Sequence, residues 1–374
     1  MAETGMGLRI DVVEPFFAGS HRAWAEGWAT HSRHDVCLHT MPGSAWRWRM
    51  RGAAVTIAPR LVADAEQRGS PDLLVVSDMV DLGDLLARTR LTHGRVPVVL
   101  YLHENQLTYP RRPGEPLDTG LAWITWRNLT FADEIWCNSA FHRDELLGAL
   151  PELLHGVPDH DHTDLLSGVA GRMRVLPVGV DIPAPGPRER PPLILSNQRW
   201  HHDKDVDAVV RALLRLAESG VEFRVAVIGD HRGGHAAEID PLLDRLGGRV
   251  IARGLQDRAA YESLVGRADI VVSAAKNEFF GVAVVEAVGA GAVPVLPDAV
   301  AYPEIIPAEF HPVALYARGE LRAALAATLA ALDDRRGAVA GLAASMTRFA
   351  WTVVAPSYDR AAEALAVERP PAER

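Results

Sequence analysis

Short apolar runs alternate with helical patterns along the whole chain of 374 residues. Several of these runs are apolar at successive positions, as in strands that are buried on both faces of a parallel sheet. Regular alternation of such strands with helices is typical of doubly wound α/β domains with right-handed crossovers. The pattern predicts strands at residues 8–13, 36–40, 73–77, 96–102, 134–138, 175–178, 193–197, 223–229, 250–253, 270–273, 293–296 and 313–316. It predicts helices between them, for example at residues 206–219, 259–266 and 321–332.

A proline-rich stretch, residues 182–192 (IPAPGPRERPP), interrupts this alternation once. Proline fixes φ and lacks an N–H, so such a stretch does not continue a central strand or a helix interior, and we expect a semi-rigid linker. We predict an N-terminal Rossmann-like domain over residues 1–182 and a C-terminal one over residues 193–344. The last helical pattern, residues 345–367, is expected to pack back on the first domain.

The composition is that of a globular protein, with 48% hydrophobic and 23% charged residues. We find no signal-peptide pattern and no apolar run of the roughly 20 residues that a bilayer span needs. The two cysteines, Cys37 and Cys137, form neither a disulfide framework nor a metal site, so a reducing, cytoplasmic compartment is expected. The net charge of −9 argues against a globally basic nucleic-acid binder but leaves room for a local basic groove.

The most specific motif follows the predicted strand at residues 270–273 and contains two acids, Glu278 and Glu286. Glu278 is predicted in a loop and Glu286 on a helix that begins near Phe280. A helix N-terminus is a natural seat for phosphate, and Gly281 allows a ligand to approach the backbone closely. We therefore expect Glu278 to accept hydrogen bonds from sugar hydroxyls and Glu286 from a ribose diol. The alternative is a solvent-facing pair of acids that flanks a buried helix.

A second motif, LSNQRWHHDK, follows the first strand of the C-terminal half. Arg199 and Lys204 leave the same strand end, where a guanidinium fork and an ammonium can neutralise one leaving diphosphate. This pair fills the Lewis-acid role, so we expect that no metal is required. The acid-x-acid strings at residues 203–205 and 159–161 resemble metal ligands, but such strings are common by chance. A solvated basic loop remains the alternative.

A third motif, HENQLTYP, begins at His103, directly after a predicted buried strand. Four consecutive polar residues at such a point are costly unless they line a cavity. His103 or Glu104 is therefore a candidate to contact the transferred sugar or the acceptor. The alternative reading of His103 is a purely structural histidine.

Two weaker motifs lie nearer the N-terminus. Gly19 and Ser20 follow the first predicted strand, where a glycine lets the chain approach a donor phosphate. Residues 46–51 (WRWRMR) alternate aromatic and arginine side chains, a pattern that suits RNA bases and phosphates. The alternative is a partly buried surface segment with ordinary cation–π pairs.

We expect the base of the donor nucleotide to be recognised near residues 252–255.

Taken together, these residues resemble the retaining glycosyltransferase family 4, which has the GT-B fold of two facing Rossmann-like domains with a C-terminal helix that crosses back to the first. The resemblance lies in the acids Glu278 and Glu286 with seven residues between them, the pair Arg199 and Lys204, and the final helix. The N-terminal half resembles more narrowly the tRNA-queuosine mannosyltransferases, through residues 17–21 (FAGSH), 46–52 (WRWRMRG), 103–110 (HENQLTYP) and 197–200 (NQRW).

That resemblance implies transfer of mannose from GDP-mannose to the cyclopentene diol of queuosine in the anticodon of tRNA-Asp. It implies an acceptor-side first domain and a second domain that binds the nucleotide sugar, with no membrane and no obligate protein partner. The catalytic candidates are Glu278, His103, Arg199 and Lys204. The donor-binding candidates are Gly19, Ser20, Arg199, Lys204, Arg253, Leu255, Phe280, Gly281, Val282 and Glu286. The acceptor-binding candidates are His21, Arg47, Arg49, Arg51, Glu104, Asn105, Gln106 and Asn138.

Two other functions stay open at this point. Trp24 and Trp28 lie one helical turn apart with Arg22 nearby, a pattern that would let the same enzyme class dock on a bilayer and modify a membrane lipid; a small-molecule acceptor is equally compatible with the fold. From another class, the chain would be a non-catalytic nucleotide- or RNA-binding module on a transferase scaffold.

Overall fold

The computed structural model describes residues 7–112, 114–231 and 236–368. The chain divides into two compact units, one made of residues 1–179 with 351–374 and the other of residues 180–350.

The first unit is built on a six-stranded sheet in which every strand pair is parallel, in the order β2-β1-β3-β4-β5-β6. Fully buried apolar residues of its central strands, such as Leu74 and Leu100, pack against Ile57 and Leu61 of α2. Its elements are β1 (Arg9–Phe17), α1 (Gly19–His31), β2 (Asp35–Pro42), α2 (Trp46–Arg68), β3 (Leu73–Ser77), α3 (Leu82–His93), β4 (Val98–Leu102), α4 (Thr119–Phe131), β5 (Glu134–Cys137), α5 (Ala140–His155), α6 (Leu166–Gly171) and β6 (Met173–Val175).

The second unit has its own six-stranded parallel sheet, in the order β12-β11-β10-β7-β8-β9. Its core contains fully buried residues of the strands, such as Ile194 and Val225, with Leu213 of α7. Its elements are β7 (Leu193–Ser196), α7 (Val206–Glu218), β8 (Arg224–Ile228), α8 (Ala236–Leu246), β9 (Val250–Gly254), α9 (Arg258–Arg267), β10 (Ile270–Val272), α10 (Val282–Gly289), β11 (Val293–Pro297), α11 (Tyr302–Ile305), α12 (His311–Ala314), β12 (Leu315–Tyr316), α13 (Leu321–Ala330), α14 (Leu332–Ala338) and α15 (Leu342–Met346).

The last helix, α16 (Trp351–Glu368), packs in the first unit. Its Asp359 accepts hydrogen bonds from Trp28 Nε1 (3.1 Å) and Ser32 Oγ (2.7 Å), and its Tyr358 donates to Tyr101 Oη (3.1 Å). Trp24 and Trp28 are both fully buried in this packing, so the hypothesis that they dock on a bilayer is wrong. Among the residues that the structure describes, no helix has both the length and the apolarity that a bilayer span requires.

The proline-rich stretch is not a linker between the units, because both of its ends lie in the second unit. Gly186 N donates to the carbonyl of Gly266 (2.8 Å), and the Arg188 guanidinium donates to the carbonyl of Gly291 (2.6 Å) and lies 3.6 Å from Asp269. Backbone and guanidinium hydrogen bonds thus fasten this segment to the second unit, although the sequence pattern predicted a linker.

Three element bounds also differ from prediction. The sixth strand is Met173–Val175 and not residues 175–178, and His311–Ala314 forms a helical turn with a proline in it, which leaves a two-residue β12. The predicted continuous helix from residue 345 is broken, since α15 ends at Met346 and α16 begins at Trp351.

Candidate functional site

Each sheet reverses its order at one point, and in open α/β sheets ligands bind at the carboxyl ends of the strands on either side of that point. In the first unit the reversal lies between β1 and β3, where Val13 is opposite Val76. In the second unit it lies between β7 and β10, where Leu195 is opposite Val271. Most of the predicted site residues follow these four strands or the neighbouring β4.

The first crevice is centred on Glu14, a fully buried carboxylate near the end of β1. Its Oε2 lies 3.1 Å from Nδ1 of His21 and 3.2 Å from Nε2 of His103, and its Oε1 accepts a hydrogen bond from the Phe16 N–H (2.8 Å). The two imidazole rings are 3.8 Å apart between centroids. The predicted residues His21 and His103 are thus brought together by an acid that the sequence analysis did not single out.

Asp78, which follows β3, fixes the backbone of the polar motif after β4. Its carboxylate oxygens accept hydrogen bonds from the N–H groups of His103 (3.2 Å) and Glu104 (3.4 Å). The side chains of the next residues are held locally, with Asn105 Oδ1 accepting from the N–H of Thr108 (2.9 Å) and Gln106 donating to Glu104 (3.0 Å). The motif is therefore a turn that is ordered by hydrogen bonds.

Asn138 reaches the same place from the end of β5. Its Nδ2 donates to the carbonyl of His103 (3.0 Å), and its Oδ1 lies 3.0 Å from Nδ1 of the buried His142. Asn138 and Asn105 are both buried, with 4% and 1% exposure. Asn138 thus supports the His103 backbone.

The electrostatics of this crevice separate the two histidines. Burial would raise the pKa of Glu14, but His21 and His103 outweigh it and hold that pKa well below its ordinary value. Burial would lower the pKa of His21, yet the Glu14 carboxylate raises it, whereas burial and the neighbouring His21 lower the pKa of His103 to about 4. Burial also raises the pKa of Asp78 to about 8. Glu14 thus shifts His21 toward the charged form, whereas His103 is a neutral imidazole at neutral pH.

The second crevice is centred on the ammonium group of Lys204, a residue that is only 7% exposed. Its Nζ donates to the carbonyl of Asn277 (2.6 Å) and to Oε2 of Glu278 (3.1 Å), and it lies 3.2 Å from Oδ2 of Asp203. Burial opposes ionisation of Asp203, but His201, Lys204 and Arg199 hold its pKa well below the ordinary value. The structure thus brings the predicted Lys204 and Glu278 into direct contact, while Arg199 lies on the exposed side of the same turn.

Glu278 is oriented further by a buried polar network. Gln198 Nε2 lies 3.5 Å from Glu278 Oε2 and donates to Tyr302 Oη (2.9 Å), and the Ser273 hydroxyl donates to Gln198 Oε1 (3.0 Å) and lies 2.8 Å from Tyr302 Oη. Tyr302 has no exposed surface, and burial, reinforced by the charge of Glu278, raises its pKa well above the ordinary value. The tyrosine therefore acts here as a neutral hydrogen-bonding hub.

The helix between the two acids begins at Val282 and not near Phe280, because Gly281 precedes it in the left-handed region with φ of +104°. A Cβ on Gly281 would lie 3.2 Å from the Tyr302 ring and 3.5 Å from Glu278 Cγ. Phe280 is buried and packs edge-on against Phe349, with centroids 5.2 Å apart. α10 therefore begins directly beside Glu278, and the N–H groups of its first turn have no partner within the helix.

Glu286 lies on α10 and is 6% exposed. Its carboxylate accepts a hydrogen bond from Tyr261 and lies 3.6 Å from an Arg258 nitrogen. Burial raises its pKa to about 7, because it outweighs the lowering by Tyr261 and Arg258. Asn197 joins this group by donating to Tyr261 Oη (3.1 Å).

The remaining candidates lie at the surface. Arg253 lies in the edge strand β9, two strands from the reversal point, and Leu255 directly follows that strand. Arg253 pairs with Asp244 (2.9 Å). Gly19 and Ser20 are exposed at the first turn of α1, with φ of +52° at Gly19.

The arginines of the WRWRMR motif lie at the exposed N-terminal turns of α2. Arg47 pairs with Glu115 (3.0 Å), Arg51 with Asp118 (2.6 Å), and Arg49 donates to the carbonyl of Pro42 (3.1 Å).

Three groupings among the described residues have the spacing of metal ligands: Glu14 with His21 and His103, residues 201–203, and Asp11 with His39 and Asp64. The first two coincide with the crevices, where the histidines and acids also contact one another directly.

Sequence reasoning missed Glu14, Asp78, Tyr302 and Tyr261. A signal was present for the acids, since Glu14 follows the apolar pair Val12 and Val13 in β1, and Asp78 directly follows the apolar β3. The tyrosines come from helices remote in sequence and carry no local pattern.

Residues 9–180 match the family model of the tRNA-queuosine alpha-mannosyltransferase N-terminal region, and residues 180–335 match that of the glycosyl transferases group 1. Sucrose-phosphate synthase from Thermosynechococcus elongatus superposes with a TM-score of 0.75, at 14% identity, over 96% of this chain and 100% of that one. Fold and matched model together define the class: the chain is a glycosyltransferase of the GT-B fold.

The first unit carries the more particular resemblance: residues 9–180 are similar to the tRNA-queuosine alpha-mannosyltransferase family. A Drosophila melanogaster protein described as tRNA-queuosine alpha-mannosyltransferase is 28% identical over 321 residues, which cover 80% of this chain and 82% of that protein. A GDP-mannose-dependent alpha-(1-6)-phosphatidylinositol dimannoside mannosyltransferase of Mycobacterium tuberculosis is 25% identical over 283 residues, covering 69% of this chain and 65% of that protein.

Proposed function

We propose that this glycosyltransferase moves mannose from GDP-mannose to the cyclopentene diol of queuosine in the anticodon of tRNA-Asp, with retention at the anomeric carbon. The acceptor follows from the family match of residues 9–180 and from the Drosophila relative. The names of that relative and of the GDP-mannose-dependent mycobacterial enzyme support a mannosyl donor.

One structural observation carries the chemical part of the proposal, the buried ammonium of Lys204 beside the N-terminus of α10. Its contacts are oxygens of Asn277, Glu278 and Asp203, so the ammonium is held in place before any substrate binds. A preorganised cation next to free helix N–H groups stabilises the charge that develops on a departing diphosphate. In this assignment Arg199 adds a second cation from the exposed side of the turn.

The reaction then needs no strong base in the protein. The bond between the anomeric carbon and the diphosphate oxygen breaks, and a queuosine hydroxyl oxygen bonds to that carbon from the same face. The hydroxyl proton passes to the departing diphosphate oxygen. The residues' contribution is neutralisation of the leaving group and positioning.

Glu278 and His103 are assigned to the mannose hydroxyls, and Glu286 to the donor ribose. Glu278 is held by Lys204 and Gln198, so its position is fixed before the sugar arrives. A neutral His103, with its pKa near 4, can donate one hydrogen bond and accept another at neutral pH.

A transfer assay tests the proposal directly. The protein is incubated with GDP-mannose and tRNA-Asp that contains queuosine, the tRNA is digested, and its nucleosides are separated by mass spectrometry. The same tRNA with guanosine in place of queuosine is the matched control. We expect one hexose mass on queuosine and none on the control; no transfer, together with tight binding of GDP, would remove the RNA acceptor and leave a GT-B enzyme with a lipid or small-molecule acceptor. Absence of both transfer and donor hydrolysis would favour the non-catalytic binding module.

We also propose that the reaction needs no metal ion, because Lys204 and Arg199 supply the positive charge. Transfer measured after dialysis against EDTA, with and without added Mg²⁺ or Mn²⁺, tests this. Equal rates are expected; a rate that returns only with the metal would point to one of the histidine and acid groupings.

A further inference from the structure

The WRWRMR motif presents its two tryptophans to different environments. Trp46 packs against a buried cluster that contains Met50, Met79 and Leu121. Trp48, two residues on, projects into solvent with 73% of its surface exposed. Burying an indole ring is worth more than burying almost any other side chain, so a ring left this exposed has surface to offer a partner.

The helix geometry leaves the Trp48 ring open on one side. Residues i and i+4 stand one above the other on a helix, and the residue at i+4 from Trp48 is Gly52. A Cβ added at Gly52 would meet no atom within 4 Å, so the space one turn above Trp48 is empty. Val55, one turn further, is 53% exposed and extends the same apolar strip. A flat ring beside a gap is the geometry that a stacked base requires.

Two arginines, one helical turn apart, lie along one side of this strip. Arg47 and Arg51 reach Glu115 and Asp118 with side chains that are 53% and 38% exposed. Ion pairs at such exposure contribute little free energy, so a phosphate can replace the carboxylates at small cost. Guanidinium groups are also the cations best suited to phosphate, because their donors form a planar fork.

We propose that the exposed strip of α2 formed by Trp48, Gly52 and Val55, bordered on one side by Arg47 and Arg51, is a docking surface for single-stranded RNA, on which one unpaired base stacks against Trp48. The inference rests on the proposed function, since the anticodon loop is the single-stranded RNA that this enzyme would meet. Proteins read such loops by stacking unpaired bases on aromatic rings between cationic side chains. The strip thus places RNA binding on a local surface of a protein whose net charge is −9.

The test compares Trp48→Ala and Trp48→Phe with Leu91→Ala, which truncates another exposed apolar side chain, 91% exposed on α3. Each variant is measured for binding of a fluorescent queuosine-containing anticodon stem-loop by anisotropy, and for KM and kcat in the transfer assay. We expect Trp48→Ala to weaken RNA binding and raise the KM for tRNA about tenfold, with kcat at saturating tRNA retained, whereas Trp48→Phe keeps the stacking face and stays within about threefold. Leu91→Ala should bind as the wild type does.

The outcomes separate this inference from the proposed function. Wild-type transfer to tRNA with unchanged RNA affinity in Trp48→Ala would overturn the docking surface and leave the function standing. No binding of the stem-loop by the wild type would overturn both. Loss of RNA binding in Trp48→Ala with normal GDP affinity supports the surface even if the sugar transferred is not mannose. If Trp48→Ala instead loses binding to anionic vesicles and keeps RNA, the surface is a membrane contact and the inference is wrong.

Discussion

The crevice of the first unit is centred on a buried carboxylate, whereas that of the second unit is centred on a buried ammonium. Glu14 lies within 3.2 Å of two imidazoles, and Lys204 lies within 3.2 Å of three oxygen ligands. Both groups stand at the reversal point of a parallel six-stranded sheet. The same architecture thus presents neutral and acidic hydrogen-bonding groups in one unit and a cation with a helix N-terminus in the other.

A reversal point fixes the location of a binding site but not the sign of the charge within it. Backbone topology decides where the side chains of a site come together. Only at the reversal point do the loops that leave two neighbouring strands run to opposite faces of the sheet, and a crevice opens between them. The sign of the charge is set by one residue and its partners, since a charge of either sign is tolerated in the interior only when opposing groups surround it. A cationic crevice suits a diphosphate, and a crevice of imidazole, amide and carboxylate groups suits sugar or nucleoside hydroxyls.

Removal of the cation should have the largest effect. Lys204→Ala is expected to lower kcat for mannose transfer about a hundredfold or more, as loss of a preorganised electrostatic donor does. Lys276→Ala is the matched control, because Lys276 is the chain's other lysine and forms an exposed ion pair with Asp205 (2.8 Å). Turnover is measured at saturating donor and acceptor, with circular dichroism to verify folding. Wild-type turnover in a folded Lys204→Ala protein would contradict the assignment of Lys204 to the diphosphate.

Removal of the Glu14 charge in the first crevice should mainly lower the stability of the protein. Glu14→Gln keeps the shape of the side chain but takes away the charge that faces His21, so we expect the free energy of unfolding to fall by about 3 kcal/mol at neutral pH. Urea denaturation followed by tryptophan fluorescence measures this loss. Glu26→Gln, which breaks only the exposed pair with Arg22, should leave the transition midpoint unchanged. An unchanged midpoint in Glu14→Gln would show that the Glu14 charge is not an organising element of the first unit.

The pH dependence of donor binding tests the role of Glu286 in the second unit, because burial raises the pKa of this residue to about 7. Below that pH the carboxyl is protonated and loses acceptor capacity for the ribose diol; above it the carboxylate is restored. The Kd for GDP-mannose, whose diphosphate diester stays fully charged in this range, should therefore fall about tenfold from pH 6 to pH 8. Isothermal titration calorimetry measures it. Glu286→Gln should bind with a flat profile, and a flat wild-type profile would contradict the role of Glu286.

Much of this organisation is readable from the sequence, for a physical reason. Strands that are buried on both faces are mostly apolar, and the apolar run at residues 73–77 coincides with β3. Polar residues that directly follow such a run indicate the crevice, as His103 does after β4. Glu278 and Lys204 were found in this way and prove to be in contact.

The residues that escaped prediction depend on tertiary partners. Glu14 is a buried acid within β1, and its position is explained only by His21 and His103, which face it. Trp24 and Trp28 show the spacing of an amphipathic face, yet both are fully buried in the same unit as α16, which is far away in sequence. The proline-rich stretch likewise has the local composition of a linker, and only its hydrogen bonds to Gly266 and Gly291 define it as part of the second unit.

The smallest effect is expected from substitution of two glycines, one near each crevice. Gly281 precedes α10, and Gly19 is the first residue of α1. Gly281 has φ of +104° and leaves 3.2 Å between an added Cβ and the Tyr302 ring, whereas Gly19 has φ of +52° and an added Cβ there would meet no atom within 4 Å. Gly281→Ala should therefore lower the free energy of unfolding by about 2 kcal/mol and weaken GDP binding, because the positive φ is strained for alanine and the added Cβ pushes on the Tyr302 ring. Gly19→Ala should cost only about 1 kcal/mol of backbone strain. Urea denaturation and GDP titration of both variants measure the difference; equal losses would mean that backbone conformation alone, and not the close packing under Gly281, sets the geometry of the donor crevice.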